Sequence, residues 1–403
     1  AFIFGGTVGV SLLALYQQGD GLRAQNYQLI LFESAALFFF FLIFQKWKRP
    51  FLLLVPALVC LVLINHAANG KAGNLVQKED YQEITDSAWQ DAVRDALDGE
   101  TGLCRTEQSG VAKKRKDNVN RIWNMRQWTT SVYSSAYDTE YQNFRNNVFQ
   151  VEQPFRNGLM QSASANPLFQ KFMGVKYVIG RSEDGENFTT EVQETAAPVI
   201  YGTNRVIAEK TYQAMKFPYN QTMLMQYAVT GNEKITDAGV EKTKGIQETN
   251  VTFTAKRGVT KEDDSWKIKT KKEQKATLSL DEDTSGKERI LYLQFDVENG
   301  HPNRDVSIVI NGIRNKLTAK SHLYYNDNTT FTYVMKLSAD QEKIKVTFGA
   351  GTYRICNLKS YVSDTTVLED ASLYRSTFTP DRNATKGNQI SGNIAMKQDG
   401  YLI

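Results

Sequence analysis

Cysteine and histidine are scarce: the 403 residues contain 3 of each. Three scattered cysteines make no disulfide-dense scaffold, zinc finger or iron–sulfur frame. His66, His301 and His322 are far apart, with no HExxH helix, no His–Asp pairing and no nucleophile elbow, so neither catalytic zinc nor a hydrolytic triad is indicated. Charge of one sign is lacking too. Lys+Arg number 48 against 44 Asp+Glu, a net charge of +4 that gives no global field toward nucleic acid, and no nucleic-acid partner is expected. No spaced Asp-x-Asp-x-Asp-Gly loop is present, so the acidic runs Glu262-Asp263-Asp264 and Asp281-Glu282-Asp283 read as solvated turns rather than calcium sites, and no metal is assigned.

Apolar residues are present, but unevenly. The mean hydropathy of −0.43 averages a strongly apolar first seventy residues with a polar remainder. A spanning helix needs about 17–25 mostly apolar residues. The stretches 1–16 (AFIFGGTVGVSLLALY), 27–44 (YQLILFESAALFFFFLIF) and 50–64 (PFLLLVPALVCLVLI) fit that description, the first reading as a helix already under way. Residues 1–69 are therefore expected to hold about three transmembrane helices in a lipid bilayer. Gln45-Lys46-Trp47-Lys48-Arg49-Pro50, between the second and third, carries three cations and an interfacial Trp, which marks it as cytoplasmic. Residues after about 70 are then extracellular. Glu33 sits at membrane depth and reads either as a functional carboxylate or as a side chain snorkelling to the outer interface.

Residues 70–240 mix helical and strand patterns and read as a membrane-proximal α+β domain. Tyr81, Ile84, Ala88, Ala92 and Leu97 give a helical period across 78–97, stopped by Asp98-Gly99. Residues 103–107 (LCRTE) read as a strand. Asn166-Pro167 opens a short helix closed by Gly174, and the strand 175–179 (VKYVI) follows. Residues 197–207 (APVIYGTNRVI) alternate like two strands about a turn, with helical patterns at 210–215 and 219–229.

From about residue 249 the period switches to two. Leu291, Leu293, Phe295 and Val297 share a face, as do Phe331, Tyr333 and Met335, and Ile344, Val346 and Phe348. Asn311-Gly312 between two isoleucines signals a two-residue hairpin. Residues 241–403 thus read as an all-β sandwich, jelly-roll-like. Trp266, Tyr324 and Tyr325 stand as sugar-stacking candidates if exposed, and as core residues if not.

Several blocks stand out in order: Cys104-Arg105-Thr106-Glu107, Asn124-Met125-Arg126, Ser131-Val132-Tyr133-Ser134-Ser135, Phe172-Met173 running into Gly174-Val175-Lys176-Tyr177-Val178-Ile179, Pro198-Val199-Ile200-Tyr201-Gly202, and Phe217-Pro218-Tyr219-Asn220-Gln221. Taken together they resemble the bacterial YfhO family of membrane proteins. Cys104 departs from an aromatic expected there. The resemblance implies a C-type glycosyltransferase architecture of Gram-positive envelopes that uses a polyprenyl-phosphate sugar donor and decorates an anionic cell-wall polymer, lipoteichoic acid. It places the catalytic carboxylate in a first exterior loop preceding these residues, so no catalytic residue is assigned in this chain. Tyr133, Ser134, Ser135, Lys176 and Tyr177 become acceptor-binding candidates, because hydroxyls, an aromatic and a cation suit a sugar or phosphate. Three classes remain open: a lipid-linked-sugar glycosyltransferase, a non-catalytic envelope protein that binds polymer or a partner, and a transporter or flippase using Glu33.

Overall fold

Alternation of apolar and polar side chains dominates the computed structural model. It describes residues 87–100, 102–109, 128–131, 138–152, 163–182, 187–193, 196–231, 243, 245–281, 286–381, 383–384 and 389–403, all within the compact unit Asp86–Ile403. In chain order come α1 (Ser87–Leu97), β1 (Arg105–Ser109), α2 (Thr139–Asn143) continuing into a π turn (Phe144–Val148), α3 (Pro167–Phe172), β2 (Val175–Arg181), β3 (Phe188–Val192), β4 (Tyr201–Thr203) and β5 (Val206–Ala208). Then follow α4 (Glu209–Gln213), α5 (Tyr219–Gln226), β6 (Ala228–Thr230), β7 (Gln247–Glu248), β8 (Val251–Ala255), β9 (Val259–Glu262), β10 (Ser265–Thr270) and β11 (Gln274–Leu280). Last are β12 (Arg289–Asn299), β13 (Val306–Ile310), β14 (Ile313–Leu317), β15 (Thr330–Leu337), β16 (Lys343–Phe348), β17 (Gly351–Asp364), α6 (Val367–Leu373), β18 (Ser376–Pro380), β19 (Gly392–Ile394) and β20 (Tyr401–Leu402).

This corrects the expected fold class. The described residues are mostly strand with few, short helices, and among them no helix is long and apolar enough to cross a membrane. The α-helical transmembrane segment expected over 1–69, with Glu33 in it, lies outside the described residues, so the structure contributes no such segment. Helix α1 is all that is described of the helix expected over 78–97.

Two antiparallel sheets form the sandwich. One runs β15-β12-β17-β10-β9, with β7 also on β17, and the other runs β14-β13-β16-β11-β8. Residues of both meet in one core: Leu291, Leu293, Phe295, Phe331 and Tyr333 from the first, Phe253, Leu278, Ile308, Val346 and Phe348 from the second. Asn311 (φ 50) and Gly312 (φ 84) make the tight link between β13 and β14, with Ile310 opposite Ile313. Both angles are positive, as a primed two-residue turn requires.

The outer face of β12 and β15 is not left to water. Ile290, Tyr292 and Val334, pointing away from the sandwich core, pack with Phe149, Leu168, Phe169, Phe217, Met225, Val367 and Ala371. Helices α3, α5 and α6 are thereby bound to the sandwich by a second core. In it Phe149 meets Phe169 edge-on at 5.3 Å, and Phe217 meets Tyr292 at 6.4 Å. A third, smaller core places α1 on the sheet β1-β2-β3 through Val93, Leu97, Tyr177 and Ile179.

Two strands do form in the stretch 197–207, but the expected turn residues Gly202 and Thr203 belong to β4, and the strands do not pair with each other. Strand β5 runs parallel to β6, whereas β4 pairs with β18 and β20 from the other end of the chain.

Candidate functional site

The sheet β1-β2-β3 gathers several of the sequence blocks singled out above. Strand β1 lies parallel to β2, setting Thr106 opposite Tyr177 and Glu107 opposite Val178. The Arg105 amide donates to the Gly174 carbonyl at 2.8 Å, and its guanidinium donates to the Met173 carbonyl at 2.5 Å. Gly174 has φ +65, and a Cβ there would sit 2.8 Å from the Ala197 carbonyl oxygen, so a side chain is excluded by both conformation and space. The turn from α3 into β2 is fixed by that glycine.

Glu107 is 2% exposed and fully engaged. Its Oε1 accepts from the Thr130 amide at 2.5 Å and from the Thr130 hydroxyl, and its Oε2 accepts from the Ser131 hydroxyl at 2.9 Å. Arg145, also buried, donates to the Thr130 carbonyl at 2.9 Å and lies over the Phe169 ring. A buried charge is tolerated when hydrogen-bonded in this way. With its lone pairs directed into the protein, Glu107 joins the 104–107 and 131–135 blocks and offers little to a substrate.

Lys176 and Tyr177 open instead on a cleft of about 630 Å³, lined also by Asp95, Ala96 and Asp98 from the end of α1 and by Thr190 and Val192 from β3. The two meet on one oxygen. Tyr177 donates its hydroxyl to Glu100 Oε2 at 2.8 Å, and the Lys176 ammonium forms an ion pair with the same atom. The Gly102 amide donates to the other carboxylate oxygen at 2.8 Å. Burial alone raises the Glu100 pKa, but the Lys176, Tyr177 and Gly102 donors outweigh it and hold the group down at about 2. A general base for a sugar hydroxyl works best with a pKa near the operating pH. Glu100 binds its proton too weakly for that role and acts as an anchor. Lys176 is in turn held protonated, chiefly by its hydrogen bond to Glu100. Its charge is matched, and Asp95 and Asp98 stand beside it, so the cleft suits hydroxyl groups better than phosphates.

None of the remaining site candidates among the described residues lines this cleft. Tyr133, Ser134 and Ser135 lie outside the described residues; Ser131 alone of that block is placed, on Glu107. Trp266 is corrected as a sugar platform. It is 6% exposed, points inward with Ile268 along β10, and meets Phe253 edge-on at 5.4 Å, so its ring is spent on the core. Tyr324 is exposed in the loop between β14 and β15. Tyr325 leans on the sandwich core and donates its hydroxyl to Asp327 at 2.9 Å. No disulfide joins Cys104, which is buried, to Cys356. Glu262 of the acidic run pairs with Lys267 and Arg354, and no group of three or more potential metal ligands occurs among the described residues.

The sequence did not mark Glu100, and it marked Gln221 only as part of a family-like block. Glu100 follows the Asp98-Gly99 helix stop and carries no periodic signal. Gln221, inside the 217–221 block, is fully buried; it donates to the Phe149 carbonyl at 3.1 Å and accepts from Asn166 at 2.9 Å, and Asn166 in turn caps α3.

The family model for bacterial membrane protein YfhO matches residues 2–403. A search of the curated proteins finds no match. Among solved structures, the C-terminal CBM6 of LamC, a marine laminarinase from Zobellia galactanivorans, is 11% identical, with 28% of this chain and 100% of that chain covered at a TM-score of 0.19. A family 29 carbohydrate binding module from Piromyces equi is 11% identical, with 30% and 83% covered at 0.16. A ruminal GH26 endo-beta-1,4-mannanase is 19% identical, with 24% and 19% covered at 0.16. At such TM-scores these likenesses support no statement about fold or ligand.

Proposed function

The chain belongs to the YfhO family of bacterial membrane proteins, and from that membership we propose that it takes part in sugar transfer from a polyprenyl-phosphate donor to a cell-envelope polymer such as lipoteichoic acid. The family match across residues 2–403 is the observation that carries this reading. In it the unit Asp86–Ile403 faces the exterior and holds the acceptor, because positioning a tethered polymer lowers the entropic part of the barrier. The cleft beside Glu100 supports a positioning role: Tyr177 and Thr190 are among its lining residues, and hydroxyl-bearing side chains suit the hydroxyl groups of the acceptor. Catalysis is assigned away from this cleft, since its one strongly perturbed carboxylate is a poor base.

The test is transfer by the full-length protein in proteoliposomes, with radiolabelled polyprenyl-phosphate sugar and lipoteichoic acid. Label appearing on the polymer supports the reading, and its absence with folded protein overturns it. Exterior placement is checked separately with a cysteine at Leu323, which is 85% exposed. A membrane-impermeant maleimide should label it on intact cells, and labelling only after lysis contradicts the exterior assignment.

A further inference from the structure

A second cleft, of about 360 Å³, lies between the α2–π segment and the loop entering β15. Its volume falls within the range of small-molecule sites, roughly 300–1,000 Å³. Seven of its eleven lining residues carry a carboxamide, two are threonines, one is Asp327, and Val151 is the one aliphatic side chain. Neither lysine, arginine nor an aromatic ring is among them.

This composition selects a ligand class. A carboxamide offers two donors and a two-lone-pair acceptor without net charge, which matches hydroxyl groups that both give and accept hydrogen bonds. A phosphate would need a cation or a ring of amide donors. A calcium ion would draw on several carboxylates, where the cleft has one. Stacked nucleobases need aromatic platforms, and an apolar peptide side chain needs more than Val151.

The walls are held in place from behind. Tyr141 and Arg145, one turn apart, both donate to the Thr130 carbonyl, at 2.5 and 2.9 Å, and so fasten the segment on its far side. Asn143 and Asn147 have the same spacing at the cleft. Between them runs the π turn, a rare geometry that recurs at functional sites. Gln150 (φ 47) on one wall and Asp327 (φ 47) on the other hold left-handed backbone conformations uncommon for side-chain-bearing residues. Gln150 Oε1 is clamped by Gln294 and by Thr332, each at 2.6 Å. Asn326 is locked by Thr318 and the Lys316 carbonyl. By contrast Asn143 and Asn147 are exposed and make no side-chain hydrogen bond among the described residues. The cleft thus combines a rigid floor with unengaged amides at its mouth.

We propose that this cleft binds a neutral, hydroxyl-rich glycan segment. The inference goes beyond sugar transfer, because binding here needs no donor and is read independently of turnover.

The experiment uses the full chain in nanodiscs with fluorescent hexasaccharides of α-glucose, β-glucose and β-N-acetylglucosamine, and a glycerol-phosphate hexamer as the charged control. At least one neutral hexasaccharide should bind with a Kd below about 1 mM and change little between about 0.05 and 0.5 M salt. The Asn143→Ala/Asn147→Ala pair should weaken that binding about tenfold or more, with the melting temperature unchanged, whereas Lys345→Ala, at an exposed position on β16, should leave it intact. If the pair melts early, the single Asn147→Ser variant serves the same comparison. The proposal fails if no neutral hexasaccharide binds up to about 10 mM, if the glycerol-phosphate hexamer binds as tightly, or if the asparagine variants bind like the parent.

Discussion

Tyr177 and Glu100 are joined by a 2.8 Å hydrogen bond whose acceptor oxygen also receives the Lys176 ammonium. Because these donors hold the carboxyl at about 2, the folded state keeps it ionised through acid in which an unfolded chain would protonate it. The unfolded chain binds more protons in that window, so this contribution to stability is complete above the ordinary carboxylate range and is lost as pH falls toward about 2. Glu100→Gln should therefore be less stable than the parent at neutral pH and should show a flatter stability profile below about pH 4.5. Urea midpoints measured across that range decide it. Parallel profiles would remove Glu100 as the anchor of the cleft.

Lys171 predicts a slope of the same sign, in the alkaline range. It is 3% exposed and donates to the Ser372 hydroxyl at 3.1 Å. Burial first, then the nearby Arg375 charge, lowers its pKa to about 8, only partly offset by Glu369. The unfolded chain holds the proton more tightly, so stability should rise with pH from about 8 to the ordinary lysine value. Lys171→Met, of similar length, should be more stable than the parent at pH 7 and should lack that rise. A lower melting temperature for Lys171→Met at pH 7 would show that the Ser372 bond outweighs desolvation.

Trp266 and Tyr324 separate core from surface. Trp266→Ala opens a cavity against Phe253 and should cost about 3–5 kcal/mol. Tyr324→Ala, at a position 41% exposed, should stay within about 0.5 kcal/mol. Chemical denaturation of the two variants checks the contrast, and similar small costs would contradict the inward placement of Trp266.

Tyr292 ties the sandwich to the helical layer. Its hydroxyl shares a 3.0 Å hydrogen bond with Ser363, fully buried, while its ring packs on Phe217. Ser363 donates its own hydroxyl to the Asp364 carbonyl at 2.9 Å, so Ser363→Ala leaves the buried Tyr292 hydroxyl without its acceptor and should cost about 1–3 kcal/mol. Tyr292→Phe/Ser363→Ala removes both groups and should recover part of that loss. No recovery would mean the two hydroxyls act independently.

What the sequence revealed follows how far each signal travels along the chain. Leu291, Leu293 and Phe295, or Asn311-Gly312, carry their information within a few residues, so the sandwich strands and the hairpin were readable. Pairing partners were not. Tyr201–Thr203 read as one arm of a local hairpin, yet its partners come from 376–377 and 401–402. The aromatic candidates divided by a matter of strand phase: Trp266 falls on the inward face of β10, Tyr324 on a loop. Lys176 and Tyr177 were readable as a pair, but Glu100, which neutralises one and binds the other, lies 76 residues away from Lys176 in sequence. The amide cleft joins 142–151 to 326–330 and has no local pattern. The predominance of strand was underestimated because the apolar start of the chain, outside the described residues, weighed heavily in the expected fold class.

The late partners of β4 bear on how the protein is made. Thr203 donates its hydroxyl to the Tyr374 carbonyl, 171 residues further on, and Tyr201 exchanges both backbone hydrogen bonds with Ile403. A chain synthesised from its N-terminus leaves this strand with an open edge while the sandwich is still emerging. Open edges are where chains pair wrongly with each other. This sheet therefore closes only after the sandwich strands have been made, and a product stopped short of residue 376 would carry β4 unpaired.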